Sequence, residues 1–148
     1  MAEVFKVPVK VMSNGEETII DMDFHCGTYA TEKTLEALGI GISGILASLD
    51  SGFSVTVRHF IYFAAKDAQK LKTPKGEAID FPYELDDVYL WMDEWGGAIS
   101  ENTSIFLRKM FHAVYGNEAG EALAKVIVDN EPIGEVVEEK KNLPKKKR

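Results

Sequence analysis

The residues with chemistry to offer are few. His25 and Cys26 stand side by side, and a thiol beside an imidazole is the pairing from which cysteine nucleophiles are built. Adjacent residues rarely aim both groups at one point, and no third group that would orient the imidazole is identifiable. His59 and His112 are remote in sequence, and the spacing of the histidines and the cysteine matches no zinc signature. Cys26 therefore reads as a strand-end cysteine and His25 as a partly exposed histidine. Four carboxylates, Asp86, Asp87, Asp93 and Glu94, crowd one stretch. Asp86 and Asp93 are two helical turns apart and share a face, too far apart to share a proton, and the glycine-centred oxygen array of a calcium loop is missing. These four read as an acidic solvated face that selects partners by charge. The string GIGISG from Gly39 to Gly44 has no following Lys-Ser or Lys-Thr and no preceding parallel strand, so it reads as a helix connection and not a phosphate loop. The expectation is no catalytic residue, no metal and no cofactor. Function is to be sought in binding or assembly.

Composition narrows the partners. A chain of 148 residues with 45% hydrophobic content can build one core-bearing domain. A net charge of -7 and a pI near 5.0 set the body against a phosphate backbone, which wants a basic field, so nucleic acid is not an expected partner. One cysteine cannot form an internal disulfide. The start, MAEVFKVPVK, lacks the apolar region of a signal peptide, and no apolar run approaches a membrane span. A cytoplasmic protein with no membrane partner is the expectation.

The elements that must position these residues follow from hydrophobic period. Phe5, Val7, Val9 and Val11 alternate with Lys6, Pro8, Lys10 and Met12; Thr18, Ile20, Met22 and Phe24 alternate with Ile19, Asp21 and Asp23; and Ser13-Asn14-Gly15-Glu16 between them supplies a turn. Together they predict an antiparallel hairpin, with Pro8 favouring an edge. A lone hairpin is marginal in water, so it should lie against helices or another chain. A helix begins near Thr28 or Thr31, presenting Leu35 and Leu38. After Gly39 and Gly41 a short helix starts at Ser43 and runs through Leu46 and Leu49. From Ser54, a candidate N-cap, Val57, Phe60, Ile61, Ala64, Ala68 and Leu71 recur at helical spacing to Leu71. A surface loop follows from Lys72. Phe81-Pro82 opens a helix over Tyr83 to Trp95 with Leu85, Val88, Tyr89, Met92 and Trp95 as its stripe, stopped by Gly96-Gly97. Ser100 caps the next, where Ile105, Phe106, Leu107, Met110, Phe111 and Val114 cover a broad arc up to Gly116. A last helix from Asn117 or Glu118 turns Ala119, Ala122, Leu123, Val126 and Ile127 inward. The reading is α+β, mainly α: an N-terminal antiparallel β hairpin followed by a compact multi-helix domain over 1–129, then a charged flexible tail over 130–148.

The aromatic residues exceed what one core-facing stripe needs on the later helices. Aromatic side chains give large contact area at modest entropy cost, so the excess points to a protein interface. Phe60, Phe63, Tyr89, Trp91, Met92, Phe106 and Phe111 are the candidate partner contacts, several of them also suited to the core. Trp91 leads, because it lies beside the stripe that Trp95 continues. Of Phe106 and Phe111, one can be core while the other meets a partner.

The stretch from Tyr29 to Ala65, with TLEALGIGISGILASLDSG followed by SVTVRHFIYFAA after a short hairpin, resembles the core of phage tail assembly chaperones of long-tailed phages and related prophages. The family similarly joins a leucine-bearing first helix, a glycine-containing connection, a second short helix and a helix entered through a serine. The likeness extends over roughly Phe5 to Val128. It implies a non-catalytic protein of the bacterial host cytoplasm, absent from the mature virion, that escorts the tape measure protein and helps recruit the tail tube protein. It also implies a frameshift-extended form, to which the lysine run Lys145 to Lys147 is suited through an adenine-rich slippery codon run, while the hairpin edge and the broad aromatic arc offer surface for a homo-oligomer. The rival readings are a structural head-tail or tail-terminator component, and a small helix-turn-helix DNA-binding regulator built on the helices around Gly39 to Gly52, where basic side chains are sparse.

Overall fold

The computed structural model of the chain describes residues 3–130, so the charged segment beyond Asn130 lies outside the described residues. Two strands, β1 (Val4–Ser13) and β2 (Glu16–His25), precede six helices: α1 (Thr28–Leu38), α2 (Ile45–Ser51), α3 (Phe53–Lys72), α4 (Asp87–Trp95), α5 (Glu101–Tyr115) and α6 (Asn117–Ile127). A short 3-10 turn, Ile42–Gly44, leads into α2. The architecture is the α+β, mainly α, hairpin-then-helices arrangement expected.

The hairpin turns where Asn-Gly allows it. Asn14 and Gly15 both take positive φ, 53° and 80°, which closes a two-residue loop whose twist matches the strands. The register then pairs Ser13 with Glu16 and runs to Val4 with His25. Hydrogen-bonded and non-hydrogen-bonded pairs alternate from the turn, which places Pro8, opposite Asp21, at a non-hydrogen-bonded position where its missing N–H loses nothing in the ladder. Its carbonyl faces off the outer edge of β1 and accepts from Trp95 Nε1 at 2.7 Å. The hairpin is thus tied to α4, and part of an otherwise open sheet edge is covered.

Val7, Val9, Val11, Met22 and Phe24 turn inward from the strands and meet the buried faces of α3, α4 and α5. Phe24 sits edge-on to Phe106 (centroids 4.8 Å) and to Trp91 (6.1 Å), and Phe106 also stacks on Trp95 (5.6 Å, 13°). Such pairs contribute beyond their buried area, about 0.5–1.5 kcal/mol each.

Helix boundaries and faces differ from the sequence reading in instructive places. Helix α3 starts at Phe53 with Gly52 at its N-cap, and Ser54 lies in its first turn without capping it. Leu71 is exposed, because the last turn of α3 runs past the layer that covers Ala64 and Ala68. Helix α4 starts at Asp87 and not at Tyr83; residues 81–84 run without regular structure. Leu46 is exposed and Ile45 is buried in its place beside Leu49. Ser100 does cap α5, its Oγ accepting from the Thr103 N–H at 3.1 Å.

Helix α6 folds back on α5 through Gly116, whose φ of 92° ends one helix and opens the next. Gly120 and Ala124 face α5. Ala119, Ala122 and Ile127, expected inward, are exposed, because the small pair Gly120 and Ala124 sets the contacting face. Polar contacts flank that seam. Glu121 accepts from Arg108 and, at 2.8 Å, pairs with His112, and Arg108 also reaches Asp129. The Arg108 guanidinium first, and His112 second, hold the Glu121 carboxyl below its ordinary range. A carboxyl whose folded value is depressed contributes stability that is present above its unfolded value and lost as pH falls through the folded one. Acid titration below about pH 4 is therefore expected to loosen α6 from α5. Amide hydrogen exchange in α6 should rise over that range in the native chain. In Glu121→Gln the acid-dependent increment should be much smaller.

Candidate functional site

The chemistry-bearing residues do not converge. Cys26 points into the core, about 4% exposed, and burial pushes its thiol well above the ordinary value, which leaves it an inert thiol and not a nucleophile. His25 turns instead toward α3, where its Nδ1 lies 2.7 Å from Oδ2 of Asp67. Asp67 is buried among the alanines of α3, so this pair ties the end of the hairpin to the longest helix. Gly27 makes room for the ring, since a Cβ there would stand 2.7 Å from His25 Cε1. His59 bonds the Val55 carbonyl in its own helix, and His112 belongs to the α5–α6 seam. Among the described residues no group of three His, Cys, Asp or Glu is placed to hold a metal ion.

The four carboxylates of the acidic stretch serve separately. Asp87 accepts from the Glu84 N–H at 2.7 Å and so organises the entry to α4. Asp86 lies 3.7 Å from Arg58, and Glu94 holds Lys10 at 2.8 Å. Asp93 is exposed and has no ion-pair partner among the described residues.

The aromatic candidates divide sharply. Phe60, Trp91, Met92, Phe106 and Phe111 are buried, so the surface they would offer a partner is already occupied by the chain's own core. For Trp91 the reason is the phase of α4. At about 100° per residue, Val88, Trp91, Met92 and Trp95 form one face, and Tyr89 falls outside it. Both Phe106 and Phe111 are core, where the reading left one of them for a partner; the broad arc of α5 is covered by α6 and by α1, α3 and α4, with Phe106 reaching Phe5 and Phe24 of the hairpin. Phe63 is half-buried, edge-on to Tyr62 at 5.1 Å. Tyr89 is about half exposed, with the Arg58 guanidinium 4.2 Å over its ring. Of the seven, Phe63 and Tyr89 remain available to a partner.

Other apolar side chains are left uncovered on the corner formed by the 3-10 turn, α2 and the start of α3. Ile42 is 52% exposed, Leu46 42% and Val55 44%. Ile42 and Leu46 are four residues apart, and Val55 opens the neighbouring helix, which is held to α2 by the Ser48–Thr56 hydroxyl contact. The sequence reading missed these positions as surface because Leu46 fits an apolar period. The signal it passed over was Ile45, an equally apolar neighbour that can take the inward position.

No family model, curated protein or solved structure matches this chain. No described helix is long and apolar enough to cross a membrane.

Proposed function

We propose that this chain is a non-catalytic tail assembly chaperone of a long-tailed phage or prophage. It binds the tape measure protein in the host cytoplasm, helps recruit tail tube subunits and leaves before the virion matures. The observation that carries the reading is the uncovered apolar corner at Ile42, Leu46 and Val55. It lies in the glycine-containing connection, the second short helix and the start of the serine-entered helix, three of the parts on which the family resemblance rests. A tape measure chain is long and helical before the tube encloses it, and its apolar faces aggregate if left bare. A small helical protein can cover such faces with shallow apolar contacts, repeated along the chain and released one by one. Phe63 and Tyr89 extend the contact surface, and Asp86, Asp93 and Glu94 select the partner by charge more than they add affinity.

The test is co-expression with the tape measure protein, followed by capture and mass measurement. A soluble complex with several copies of this chain on each tape measure chain is the expected result. Persistence of the chain in finished tails would mark it as a structural component, and no association in either setting would end the reading. Replacing Leu46 and Val55 together by Asp should cut recovery of the complex at least tenfold. The isolated chain should stay within about 1 kcal/mol of its native stability, because two surface positions cost about 0.5 kcal/mol or less each.

A further inference from the structure

The two strands of the hairpin carry opposite charge. β1 holds Lys6 and Lys10 and no carboxylate, and β2 holds Glu16, Glu17, Asp21 and Asp23 and no Lys or Arg. Their outer edges differ as well. Each non-hydrogen-bonded position of a hairpin points its N–H and C=O off the edge of the sheet. On β1 that edge is closed at its middle. Pro8 has no N–H, its carbonyl accepts from Trp95 Nε1, and Lys10 is drawn to Glu94 of α4 at 2.8 Å. On β2 the corresponding positions are Glu17, Ile19, Asp21, Asp23 and His25. Helix α3 comes alongside the last two, where Lys72 meets Asp23 and Asp67 meets His25. Glu17, Ile19 and Asp21 have no such cover. All three are exposed, Ile19 at 51%, and among the described residues no backbone group bonds to their N–H or C=O. Their side chains share the face turned away from the core, because Ile20 and Met22 take the inward one.

Open strand edges are guarded by charge, and the guarding is selective. Carboxylates at Glu17 and Asp21 turn away an acidic strand, including β2 of a second copy, since like charges directly opposite destabilise a pair. A second copy has its lysines in β1, the strand whose edge Pro8 and Trp95 close. The strand this edge admits is a basic one from another protein.

We propose that the edge of β2 from Glu17 to Asp21 takes an added antiparallel strand from a basic segment of a partner protein. Glu17, Ile19 and Asp21 then each exchange N–H and C=O bonds with the residue opposite. Those opposite residues are basic, apolar and basic at alternate positions: one cation meets Glu17, an aliphatic side chain covers Ile19, and a second cation meets Asp21. Asp21 has no ion-pair partner among the described residues. Glu17 is held loosely, since Lys10 lies 3.4 Å from it and closer to Glu94. This edge is separate from the apolar corner at Ile42, Leu46 and Val55 and does not rest on the function read from it.

The probe is a synthetic peptide, Thr-Lys-Thr-Val-Thr-Lys-Thr, added at millimolar concentration to the isotope-labelled full chain. Amide exchange at Glu17, Ile19 and Asp21 is expected to slow severalfold, while Lys10 and Met12 on the other edge keep their rates. The same peptide N-methylated at its valine and both lysines keeps its charge and loses the donors, so it should protect none of the three. Glu17→Gln/Asp21→Asn should weaken peptide binding severalfold. Raising salt from about 0.1 M to about 1 M should weaken it similarly, as the screening length contracts from about 10 Å to about 3 Å. Unchanged exchange at the three amides would overturn the proposal. Equal protection by the N-methylated peptide would reduce the effect to charge attraction without a ladder and overturn it too. Protection that appears on concentrating the chain alone would assign the edge to a second copy, and protection already present in the dilute chain would assign it to the chain's own residues; either result refutes a partner strand.

Discussion

Gly120→Ala is expected to detach α6 from α5. The substitution looks benign by local rules, since alanine is favoured over glycine in a helix interior by about 1 kcal/mol. The packing reverses the sign. A Cβ at position 120 would stand 2.5 Å from the Phe111 carbonyl oxygen and 2.7 Å from both N and Cα of His112. These are backbone atoms of α5, so no side-chain rotation relieves the clash and one helix must move. Moving it also pulls Glu121 from Arg108 and His112, the polar contacts that flank the seam. Overpacking of this kind costs about 3 kcal/mol, which for a domain of this size lowers Tm by about 10 °C. Ala122→Gly is the control. It lies on the exposed side of the same helix and should lose only the propensity difference of about 1 kcal/mol. A Gly120→Ala chain as stable as the native one would mean that the helices do not approach so closely.

Gly120 also shows where reading a sequence stops. The period of α6 offers Ala119, Ala122, Leu123, Val126 and Ile127 as an apolar arc, and hydrophobicity alone favours that arc. The observed contact runs through Gly120 and Ala124, because two helices joined by the single residue Gly116 must pack at short range and only small residues permit it. Closeness of approach is a property of the pair, and neither helix's own period records it. The hairpin was legible for the opposite reason. Its alternation, its Asn-Gly turn and its edge proline are all local, and they agree with one another.

Helix α4 lies between these cases. Val88, Met92 and Trp95 belong to either candidate stripe, and the choice between Tyr89 and Trp91 depends on where the helix begins. Extending it back to Tyr83 brings Leu85 into the pattern and favours Tyr89. Starting it at Asp87 puts Trp91 inward, against Phe24 and Tyr83. The candidate interface shifted with that phase. Trp91 moved into the core and Tyr89 to the surface, where Arg58 covers one face of its ring. Asp67 was legible in principle: it stands three residues after Ala64 on the buried stripe of the longest helix, and a carboxylate in that position needs a partner. The partner, His25, lies 42 residues away and comes from the hairpin, so only the fold could supply it.

Phe106→Ala is expected to be the most damaging truncation in the chain. Phe106 is fully buried at the junction of three elements, with Phe5 and Phe24 from the two strands on one side and Trp95 from α4 on the other, at centroid distances of 4.8–5.6 Å. Removing the ring subtracts its transfer energy and leaves a cavity whose walls belong to different elements, so no single rigid movement closes it. Burying and packing a phenylalanine of this kind is worth about 3–5 kcal/mol. The loss should not remain local. Trp95 stacks on Phe106 and also donates to the Pro8 carbonyl, so a shifted indole uncovers the outer edge of β1. Equilibrium urea unfolding should register the full drop in stability. Amide exchange in β1 should accelerate more than in α6, because the strand loses both its packing partner and its edge cover. Phe111→Ala supplies the contrast. Its ring is equally buried but pairs with Tyr115 on its own helix, so amide exchange there should accelerate most in α5 and α6. If the two truncations produced the same exchange pattern, Phe106 would not be the residue through which α4 and α5 hold the hairpin.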